Sequence, residues 1–504
     1  MKLGELLAGQ DLTRMETETE ITGLSYDSRQ ARPGDCYFSL ARDAERSQAN
    51  VNDALSRGAR AVVVGRWSGA ATRPANLLEC ERPRRLMGAA AARFYATPSE
   101  RLDLIGVTGT SGKTTTAYLL ASIFEAAGEP AGIIGTIGAF VAGRKLYRGL
   151  TTPESLDFER ALAEMVRAGV RHAAAEISSI GIEEGRVDEL SFRAGVFTNL
   201  SRDHLDYHGT IENYFAAKLR LFTEIMPRSR RGTPIAIVRG DDPFGRRVLA
   251  AVRGDKLSFG LERALDVHPL SVEAMGIEGL RARISVLGQE IEIESPLPGE
   301  INLLNILGAA AVSVALGIEK AAVVEGVRRC PGAPGRLERV AGPPGVTILV
   351  DYAHKPDALE AVLNALRALK RGRLLCVFGC GGDRDAGKRP LMGEIAGRLA
   401  ETAILTSDNP RSEDPLKIIA EAEAGLVAAG LVRIDRAECG RRAGYVVEPD
   451  RRAAIAIALE AAVPGDVVVI AGKGHEDYQL VGDRRLDFDD RVVTKAMVEE
   501  LRRR

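Results

Sequence analysis

The sequence is poor in the residues that mark secreted, zinc-binding or nucleic-acid-binding proteins. Among 504 residues there are only six cysteines, and they are scattered rather than paired at ligand-like spacings. This argues against a disulfide framework or a zinc site and favours a reducing compartment. The 68 lysines and arginines are offset by 69 aspartates and glutamates. No broad electrostatic field therefore favours nucleic acid or an anionic membrane, and any basic site must be local.

Long apolar runs are missing as well. No stretch of about eighteen consecutive apolar residues occurs, so the sequence predicts no membrane span. The first residues, MKLGELLAGQDL, carry early acidic side chains and no unbroken apolar core, so we expect no signal peptide. The expected location is the cytoplasm. Hydrophobic residues at 45% and charged residues at 27% are typical of a soluble globular protein.

Breaks in the sequence divide the chain into three predicted domains. A chain of 504 residues is long enough for about three domains of ordinary size. Thr97-Pro98-Ser99 forms the first break and CPGAPG, residues 330–335, forms the second. The predicted domains are 1–100, 101–334 and 335–504.

Apolar runs that alternate with helical stretches predict an α/β protein. Residues 61–64 indicate a short buried strand and residues 84–95 an Ala-rich helix, which gives a smaller N-terminal α/β domain. Five strand-like runs in the second domain and four in the third predict doubly wound, parallel sheets. We expect a P-loop-type sheet in the centre and a Rossmann-like domain at the C-terminus. Ligands should then lie outside the carboxyl ends of the strands.

The segment IGVTGTSGKTTT, residues 105–116, predicts a phosphate-binding loop between a strand and a helix. Backbone N–H groups of such a turn, with the positive end of the helix, surround phosphate oxygens. A lysine at position 113 neutralises the β- and γ-phosphates, and a threonine at 114 offers its hydroxyl to Mg²⁺. Val107 stands where the general pattern has its first glycine, so an ordinary glycine turn is the alternative. The predicted nucleotide-binding residues of this phosphate loop are Gly109, Thr110, Ser111, Gly112, Lys113, Thr114 and Thr115.

Acidic and histidine side chains follow two other predicted strands. Glu176 ends the run HAAAE, where it is either a Mg²⁺ ligand or a solvated helix cap. TNLSRDHLDYHG, residues 198–209, holds two of the six histidines beside two aspartates. Polar residues directly after a buried strand cost stability unless they cap or bind something. The segment predicts a metal and phosphate site, with a capped loop as the alternative.

Four further polar residues have weaker signals. Lys218 lies among apolar, helix-forming residues, which by themselves predict a lysine whose head group reaches water. Asp351 and His354 stand at a predicted strand end before a helix that begins with proline. Arg336 lies beside the second break, where it either reaches a nucleotide in an interdomain cleft or forms a surface ion pair.

Taken together, these motifs resemble those of the Mur ligase family. The resemblance covers nearly the whole chain, and the order of its short motifs is highly specific. The motifs are YDSR (26–29), VTGTSGKTT (107–115), TTP (151–153), EISS (176–179), TNLSRDHLDYHG (198–209), AAK (216–218), NLLN (302–305), PGRLE (334–338), DYAHKPDAL (351–359), GCGGDRDAGKRP (379–390), DNPR (408–411) and GKGHE (472–476).

The resemblance implies a set of site residues. Beyond the phosphate loop, the ATP-binding positions would be Asn302, Arg336, Asp351 and His354. The Mg²⁺ ligands would be Thr114, Glu176, His204 and Lys218, the last as a carbamate, which turns a cation into a carboxylate-like ligand. Lys113, Lys218 and His204 would be catalytic. The contacts to the UDP-linked substrate would be Ser28, Thr151, Thr152, Ser178 and Arg186.

The resemblance also implies a pocket for an incoming amino acid. Its residues would be Arg384, Asp408, Asn409, Pro410, Arg411, Gly472 and Glu476. Family members that take meso-diaminopimelate read Asp-Asn-Pro-Arg here, whereas lysine-adding members generally lack that arginine. Diaminopimelate has a second carboxylate that a guanidinium can pair with in two parallel hydrogen bonds. Lysine would leave that guanidinium unpaired.

The implied reaction is ATP-dependent amide formation through an acyl-phosphate, with UDP-N-acetylmuramoyl-dipeptide and meso-diaminopimelate as substrates and ATP and Mg²⁺ as cofactors. Neither nucleic acid nor a membrane is an expected partner, and we expect a monomer. Three alternatives are a lysine-adding ligase, a folate polyglutamate ligase and a P-loop switch or motor. The chain departs from the family pattern in three segments: 41–55, 180–182 and 183–184.

Overall fold

The computed structural model describes residues 1–67, 73–141, 143–147 and 149–503. They form two compact units. Within the described ranges, no helix is both long and apolar enough to cross a membrane. The first unit comprises Met1–Leu270, Ile284–Ile291 and Leu304–Val327, and the second comprises Ser271–Arg283, Glu292–Leu303 and Arg328–Arg504.

The N-terminal part of the first unit is built on a four-stranded parallel sheet in the order β1-β2-β3-β4. Apolar side chains pack on both faces of this sheet. The predicted strand and the predicted Ala-rich helix are both confirmed, and the helix begins with a proline at its first position. The elements are α1 Leu3–Leu6, β1 Gly23–Ser25, β2 Asp35–Phe38, α2 Ala44–Ser56, β3 Ala61–Val64, β4 Leu77–Glu79 and α3 Pro83–Phe94.

The next part of the chain forms an eleven-stranded sheet. Its strand order is β15-β14-β13-β12-β11-β10-β5-β9-β6-β7-β8. The strands are β5 Asp103–Thr108, β6 Ala131–Gly135, β7 Gly138–Val141, β8 Arg144–Tyr147, β9 His172–Glu176, β10 Ala194–Phe197, β11 Ile235–Arg239, β12 Lys256–Phe259, β13 Val267–Gly276, β14 Gly279–Val286 and β15 Gln289–Ser295. The helices are α4 Lys113–Ala126, α5 Ser155–Arg167, α6 Ser179–Glu183, α7 Leu205–His208, α8 Ile211–Arg220, α9 Pro243–Ala251, α10 Glu300–Ala315 and α11 Lys320–Arg329.

The position of the central strand β5 determines where the phosphate loop lies. It pairs in parallel with β9 on one side and β10 on the other. The carboxyl ends of all three strands therefore lie at the same edge, next to one another. The prediction of a mixed α/β chain with parallel sheets is confirmed, and the five strand-like runs correspond to β5, β6, β9, β10 and β11.

The second unit contains a six-stranded sheet in the order β16-β17-β21-β18-β19-β20. Only β16 runs antiparallel to its neighbour. The four predicted strands correspond to β17, β18, β19 and β21. The strands are β16 Glu338–Val340, β17 Thr347–Asp351, β18 Leu374–Cys380, β19 Thr402–Ser407, β20 Gly444–Val447 and β21 Val467–Ala471, followed by the hairpin strands β22 Tyr478–Val481 and β23 Arg484–Asp487. The helices are α12 Pro356–Leu369, α13 Lys388–Leu399, α14 Pro415–Ala428, α15 Arg451–Ala461 and α16 Asp490–Arg503.

The six cysteines are free thiols, and all except the half-buried Cys80 are buried. Cys376 and Cys380 lie on β18, inside the sheet of the second unit. Burial raises the pKa of both thiols to about 12. These cysteines therefore behave as small apolar core residues rather than as nucleophiles.

Glu159 on α5 is a carboxyl group inside the core of the first unit. Its side chain is 1% exposed, and neither oxygen has a hydrogen-bond partner among the described residues. Burial, with a smaller contribution from Glu189 and Glu100, raises its pKa to about 8. The folded protein therefore keeps the Glu159 proton at neutral pH, whereas the unfolded chain loses it above about pH 4.5.

We expect Glu159→Gln to stabilise the first unit in a pH-dependent way. Because the folded-state pKa is the higher one, the carboxyl group lowers the stability of the wild type progressively from about pH 4.5 to pH 8. The neutral amide of glutamine does not titrate, so it adds no pH dependence to the stability. Melting temperatures should be similar at pH 5.5, and the variant should melt several degrees higher at pH 8. Glu164→Gln, at a half-exposed position of the same helix, is the control. Equal effects of both substitutions at pH 8 would contradict this assignment.

Candidate active site

The phosphate loop connects β5 to α4, as predicted. β5 ends at Thr108, and α4 begins at Lys113. Gly109 and Gly112 have positive φ angles of 148° and 86°. A Cβ atom on Gly109 would overlap the Thr198 hydroxyl, so the tight approach of the neighbouring loop requires glycine there.

Two lysine side chains converge on the phosphate loop. Lys113 Nζ donates to Gly109 O at 2.9 Å and to Thr110 O at 3.0 Å, while Lys218 Nζ donates to the same Gly109 O at 3.0 Å. Lys218 is 1% exposed and lies 4.7 Å above the Tyr214 ring. The prediction that its head group reaches water is therefore wrong, because α8 packs this side chain against the phosphate loop. Burial, with a further contribution from the Lys113 charge, lowers the pKa of Lys218 well below its ordinary value.

Glu176 lies at the carboxyl end of β9, beside the phosphate loop strand. Its side chain is buried, and its two oxygens accept from Thr136 N at 2.9 Å and Thr136 Oγ1 at 3.0 Å. The alternative of a solvated helix cap is therefore wrong. Thr136 Oγ1 also lies 3.1 Å from Thr151 Oγ1, and Thr152 Oγ1 donates to Glu176 O at 2.9 Å. The carboxylate and both expected substrate-contact threonines thus form one hydrogen-bonded cluster.

The loop after β10 packs directly on the phosphate loop. Thr198 Oγ1 donates to Ser111 O at 2.6 Å, and Ser111 N donates to Asn199 Oδ1 at 3.0 Å. Thr110 N donates to Asn199 O at 3.0 Å. Sequence reasoning did not single out Thr198 or Asn199, although both lie in a quoted motif. Their contacts fix the shape of the turn that is expected to surround phosphate.

His204 begins the short helix α7 in a left-handed conformation, with φ at 53°. Its backbone N–H donates to Asp203 Oδ1 at 2.8 Å, and its ring centroid lies 6.1 Å from that of Tyr214. Left-handed backbone is uncommon for histidine and marks a locally constrained position. His208 at the end of α7 forms a buried hydrogen bond of 2.9 Å with Ser179 Oγ. The loops after β9 and β10 are thereby joined to each other.

Ser178 and Arg186 join the same region of the first unit. Ser178 Oγ accepts from Gly181 N at 3.1 Å and caps α6, and Ser178 N donates to Thr152 Oγ1 at 2.8 Å. Arg186 Nη1 donates to Thr152 O at 2.9 Å, and the guanidinium is ion-paired with Glu184. Four of the five expected UDP-substrate contacts are therefore brought together. The fifth, Ser28, is on a separate turn after β1, where it is hydrogen-bonded to Asp53.

In the second unit, Asp351 ends β17 and is buried. Its oxygens accept from Leu337 N at 2.7 Å and Ala353 N at 2.9 Å. Burial raises the Asp351 pKa, and the nearby Arg336 guanidinium opposes that rise. Arg336 therefore faces a buried carboxyl group instead of a surface partner. Burial lowers the pKa of His354 to about 4, so this imidazole is neutral at physiological pH.

Asn302 and Asn305 lie one turn apart on α10, and both are buried. Asn302 Nδ2 donates to Pro298 O at 2.8 Å. Asn305 Oδ1 lies 3.5 Å from Thr116 Oγ1, and a Cβ atom on Gly112 would overlap this oxygen. The second asparagine of the NLLN motif therefore touches the phosphate loop helix, a role that the sequence reasoning did not assign to it.

A compact polar cluster follows β19. Asp408 and Asn409 are buried, and Asn409 Nδ2 donates to Glu476 Oε2 at 2.9 Å. The fully buried Lys473 Nζ donates to Asn409 Oδ1 at 3.1 Å and to Glu476 Oε2 at 3.3 Å. Lys473 was missed from the sequence, although it is the lysine of the GKGHE motif. Gly472, directly before it, donates its N–H to Asp351 O at 3.1 Å.

Arg411 occupies a strained turn beside this cluster. Its φ is 52°, and its Nη1 donates to Gly382 O at 2.7 Å. The hairpin strand β22 holds the backbone, since Arg411 N donates to Leu480 O at 3.0 Å. Pro410 is buried, whereas Arg384 is exposed and donates to Asp383 O at 3.3 Å. The expected amino-acid pocket residues are thus gathered at the carboxyl ends of β18, β19 and β21.

Two family models match most of the chain. One, described as the Mur ligase middle domain, matches residues 107–313, and the other, described as the Mur ligase, glutamate ligase domain, matches residues 335–474. The chain belongs to the Mur ligase family. It is therefore an enzyme of the ligase class, and the resemblance inferred from the motifs is confirmed.

This Mur ligase is similar to proteins of known name over nearly its full length. It is 42% identical to the UDP-N-acetylmuramoyl-L-alanyl-D-glutamate–2,6-diaminopimelate ligase of Solibacter usitatus, covering 99% of this chain and 98% of the relative. A solved structure of an enzyme with the same name is 32% identical, covers 100% of this chain and 99% of its own, and superimposes with a TM-score of 0.68. The MurF ligase from Thermotoga maritima in complex with ADP, at 18% identity, covers 96% of this chain and 97% of its own with a TM-score of 0.59, and shows the shared fold.

Proposed function

We propose that this Mur ligase joins meso-2,6-diaminopimelate to UDP-N-acetylmuramoyl-L-alanyl-D-glutamate in peptidoglycan synthesis, converting ATP to ADP and phosphate. The names of its relatives support this substrate pair. The observation that carries the choice of amino acid is the placement of Arg411 beside the buried Asn409–Lys473–Glu476 cluster. It acts as a monomer in the cytoplasm, and the balanced charge supports neither nucleic acid nor a membrane as a partner.

The phosphate loop and its neighbours would bind the triphosphate of ATP. Lys113, at the first position of α4, offsets negative charge on the β- and γ-phosphates. In the second unit, Asp351 and Arg336 would contribute further ATP contacts, as the resemblance implies. Asn302 and the neutral His354 complete the proposed ATP contacts.

Most of the donors that the resemblance implies are the hard oxygen ligands that Mg²⁺ prefers. Glu176 supplies a buried carboxylate, and Thr114 a hydroxyl at the first turn of α4. Lys218 would supply a second anionic oxygen ligand once its amine had reacted with CO₂ to a carbamate, and His204 would add a ring nitrogen. Burial lowers the pKa of the Lys218 amine and so favours the uncharged form, which is the form that attacks CO₂. Bound Mg²⁺ would neutralise charge that builds on the phosphoryl oxygens.

The proposed reaction has two steps. First, an oxygen of the D-Glu γ-carboxylate attacks the γ-phosphorus of ATP, the bond to the β-phosphate oxygen breaks, and ADP leaves. Second, the amine of diaminopimelate attacks the acyl carbon, the carbon–oxygen bond breaks, phosphate leaves, and the nitrogen loses a proton. The chain contributes chiefly by holding three reactants in line and excluding water from the acyl-phosphate.

The proposed amino-acid pocket matches a diamino diacid. Arg411 can pair with the second carboxylate in two parallel hydrogen bonds, while the Glu476 carboxylate accepts from an ammonium group. Arg384, Asp408, Pro410 and Gly472 line the same loops. Lysine has no group for Arg411, and buried polar sites reject analogues that lack the matching group by several powers of ten.

The acyl-phosphate step is tested with isotope transfer. UDP-precursor labelled with ¹⁸O in the D-Glu γ-carboxylate should deliver one labelled oxygen into inorganic phosphate for each amide bond formed, as measured by mass spectrometry. Omitting the amino acid should suppress phosphate release, because synthesis and not hydrolysis completes the cycle. Unlabelled phosphate would contradict the mechanism, and full-rate phosphate release without any amino acid would favour a switch or motor.

The acceptor is tested by offering diaminopimelate, lysine and glutamate in parallel. We expect kcat/KM for diaminopimelate to exceed that for lysine by at least about a thousandfold. Preferred use of lysine would show a lysine-adding ligase instead, and preferred use of glutamate would favour a folate polyglutamate ligase.

A further inference from the structure

We propose that Arg389 is a positioning residue for the amino-acid pocket, because its buried guanidinium fixes the two loops that aim Arg384 and Arg411. The inference rests on the proposed function and deepens it. The first pocket loop comprises residues 381–385, and the second pocket loop comprises residues 408–413. Arg389 lies in the motif GCGGDRDAGKRP, but it is not among the proposed substrate contacts.

The two pocket loops are hydrogen-bonded along their length. Gly382 N donates to Asn409 O at 2.9 Å, and Arg411 Nη1 donates back to Gly382 O at 2.7 Å. The Asp383 carboxylate accepts from Ser412 N at 3.2 Å and from Ser412 Oγ at 2.7 Å. A Cβ atom on Gly382 would overlap the backbone of the second pocket loop, so the spacing of the loops is fixed by direct contact.

Arg389 joins both loops to the helices behind them. It lies on α13 and is 1% exposed. Its Nη2 donates to Glu413 Oε1 at 2.8 Å and to Gly381 O at 3.3 Å, while Nη1 donates to Glu421 Oε2 on α14 at 2.8 Å. Glu413 Oε1 in turn accepts from Asp383 N at 2.5 Å. One guanidinium therefore contacts the first pocket loop, the second pocket loop and α14.

A charge network of this kind is a poor means of stabilising a fold. Removing the Arg389 guanidinium from water costs free energy that pairing with the partly exposed Glu413 and Glu421 only partly offsets, and apolar replacements of buried ion pairs are often neutral or stabilising. Arg389 Nε has no hydrogen-bond partner among the described residues, which adds to that cost. The network does define one geometry, since the planar guanidinium holds several acceptors in fixed directions.

The loops need such a constraint because each contains a residue in a left-handed conformation. Asp383 and Arg411 both have φ angles of 52°, which aspartate tolerates but which costs arginine about 1 kcal/mol or more. Asp383 directly precedes Arg384, and Arg411 is the proposed carboxylate-binding residue. Without Arg389, both backbones can relax, and the Arg411 guanidinium loses its aim at the proposed substrate carboxylate. A displacement of about 1 Å is enough to weaken a positioned contact substantially.

The full-length enzyme tests this with Arg389→Met and Arg389→Lys, and with Arg398→Met as the matched control. Arg398 lies on the same helix in a half-exposed ion pair with Glu360. For both Arg389 variants we expect KM for diaminopimelate to rise about 10- to 100-fold, while KM for ATP and for the UDP-precursor changes less than about twofold. The ratio of kcat/KM for diaminopimelate to that for lysine should fall by about tenfold or more. Arg398→Met should match the wild type.

Glu413→Gln keeps the proposal testable if the Arg389 variants do not fold. It removes the ion pair with Arg389 and should raise KM for diaminopimelate about fivefold, with little change in KM for ATP or for the UDP-precursor. A uniform change in all three KM values, or folded variants with unchanged KM and selectivity, overturns the positioning role. A wild type that does not use diaminopimelate overturns the proposed function itself, and the inference with it. If the wild type uses diaminopimelate and the variants have unchanged KM values and selectivity, only the role of Arg389 is overturned.

Discussion

Lys218→Met is expected to lower kcat about a thousandfold with saturating substrates. Methionine fills the same buried space beside Gly109 but can neither form a carbamate nor supply an anionic oxygen for Mg²⁺. Losing charge neutralisation at the transferring phosphoryl group costs on the order of 10²–10³ in rate or more. Steady-state kinetics measure the loss, and melting temperature confirms that the variant folds. Lys417→Met, at an exposed lysine of α14, is the control.

The wild type offers a second readout of the same modification. The Lys218 amine and CO₂ combine to a carbamate with release of one proton, and the burial that lowers the pKa of Lys218 favours the uncharged amine that reacts. Enzyme depleted of CO₂ at acidic pH should lose activity and recover it with bicarbonate, whereas Lys218→Met should not respond. With ¹³C-bicarbonate, active wild type should show one carbamate carbon by NMR. An active enzyme without that signal would contradict the proposal.

Arg411→Ala is expected to lower kcat/KM for diaminopimelate about 10²- to 10³-fold. The substitution removes the only proposed bidentate partner of the distal carboxylate, whereas lysine, which lacks that carboxylate, should be used no worse than before. KM for ATP should not change. Arg433→Ala, at an exposed arginine ion-paired with Glu423 at 3.2 Å, is the control.

Backbone strain at position 411 must be separated from loss of the guanidinium. Arg411→Gly relieves the left-handed strain, while Arg411→Lys keeps the charge without the planar pair of donors. We expect all three variants to lose diaminopimelate use. Full activity of the glycine or lysine variant, or unchanged kinetics of Arg411→Ala, would remove the basis for naming diaminopimelate as the acceptor.

The strands that the sequence predicted are those with continuous apolar runs. β5, β9 and β10 at the sheet centre are buried on both faces, so their sequences contain few polar residues. β15 was not predicted because one of its faces is exposed and polar residues interrupt the apolar pattern, and β13 was not predicted because nearly all its residues are partly or fully exposed. The helix ends that were easiest to predict are N-termini that begin with proline, as at Pro356.

The site was predictable where chemistry is local in sequence. The phosphate loop is a contiguous motif, and its strand, turn and helix appear where expected. The burial of Lys218 could not be predicted from the residues next to it in the sequence, because it depends on a contact with Gly109, 109 residues away. Lys473 was missed for the same reason, since its partner Asn409 is 64 residues away. Such contacts follow from sheet topology, which places distant strand ends side by side.

The buried native thiols leave this ligase with a low background for fluorescent labelling. At neutral pH almost none of the Cys376 or Cys380 sulfur is thiolate, the species that attacks maleimides. Burial raises the pKa of the half-buried Cys80 as well. A cysteine introduced at an exposed position such as Leu416 or Val432 would therefore take up a dye selectively. The second unit could be given a spectroscopic reporter without replacing any native cysteine.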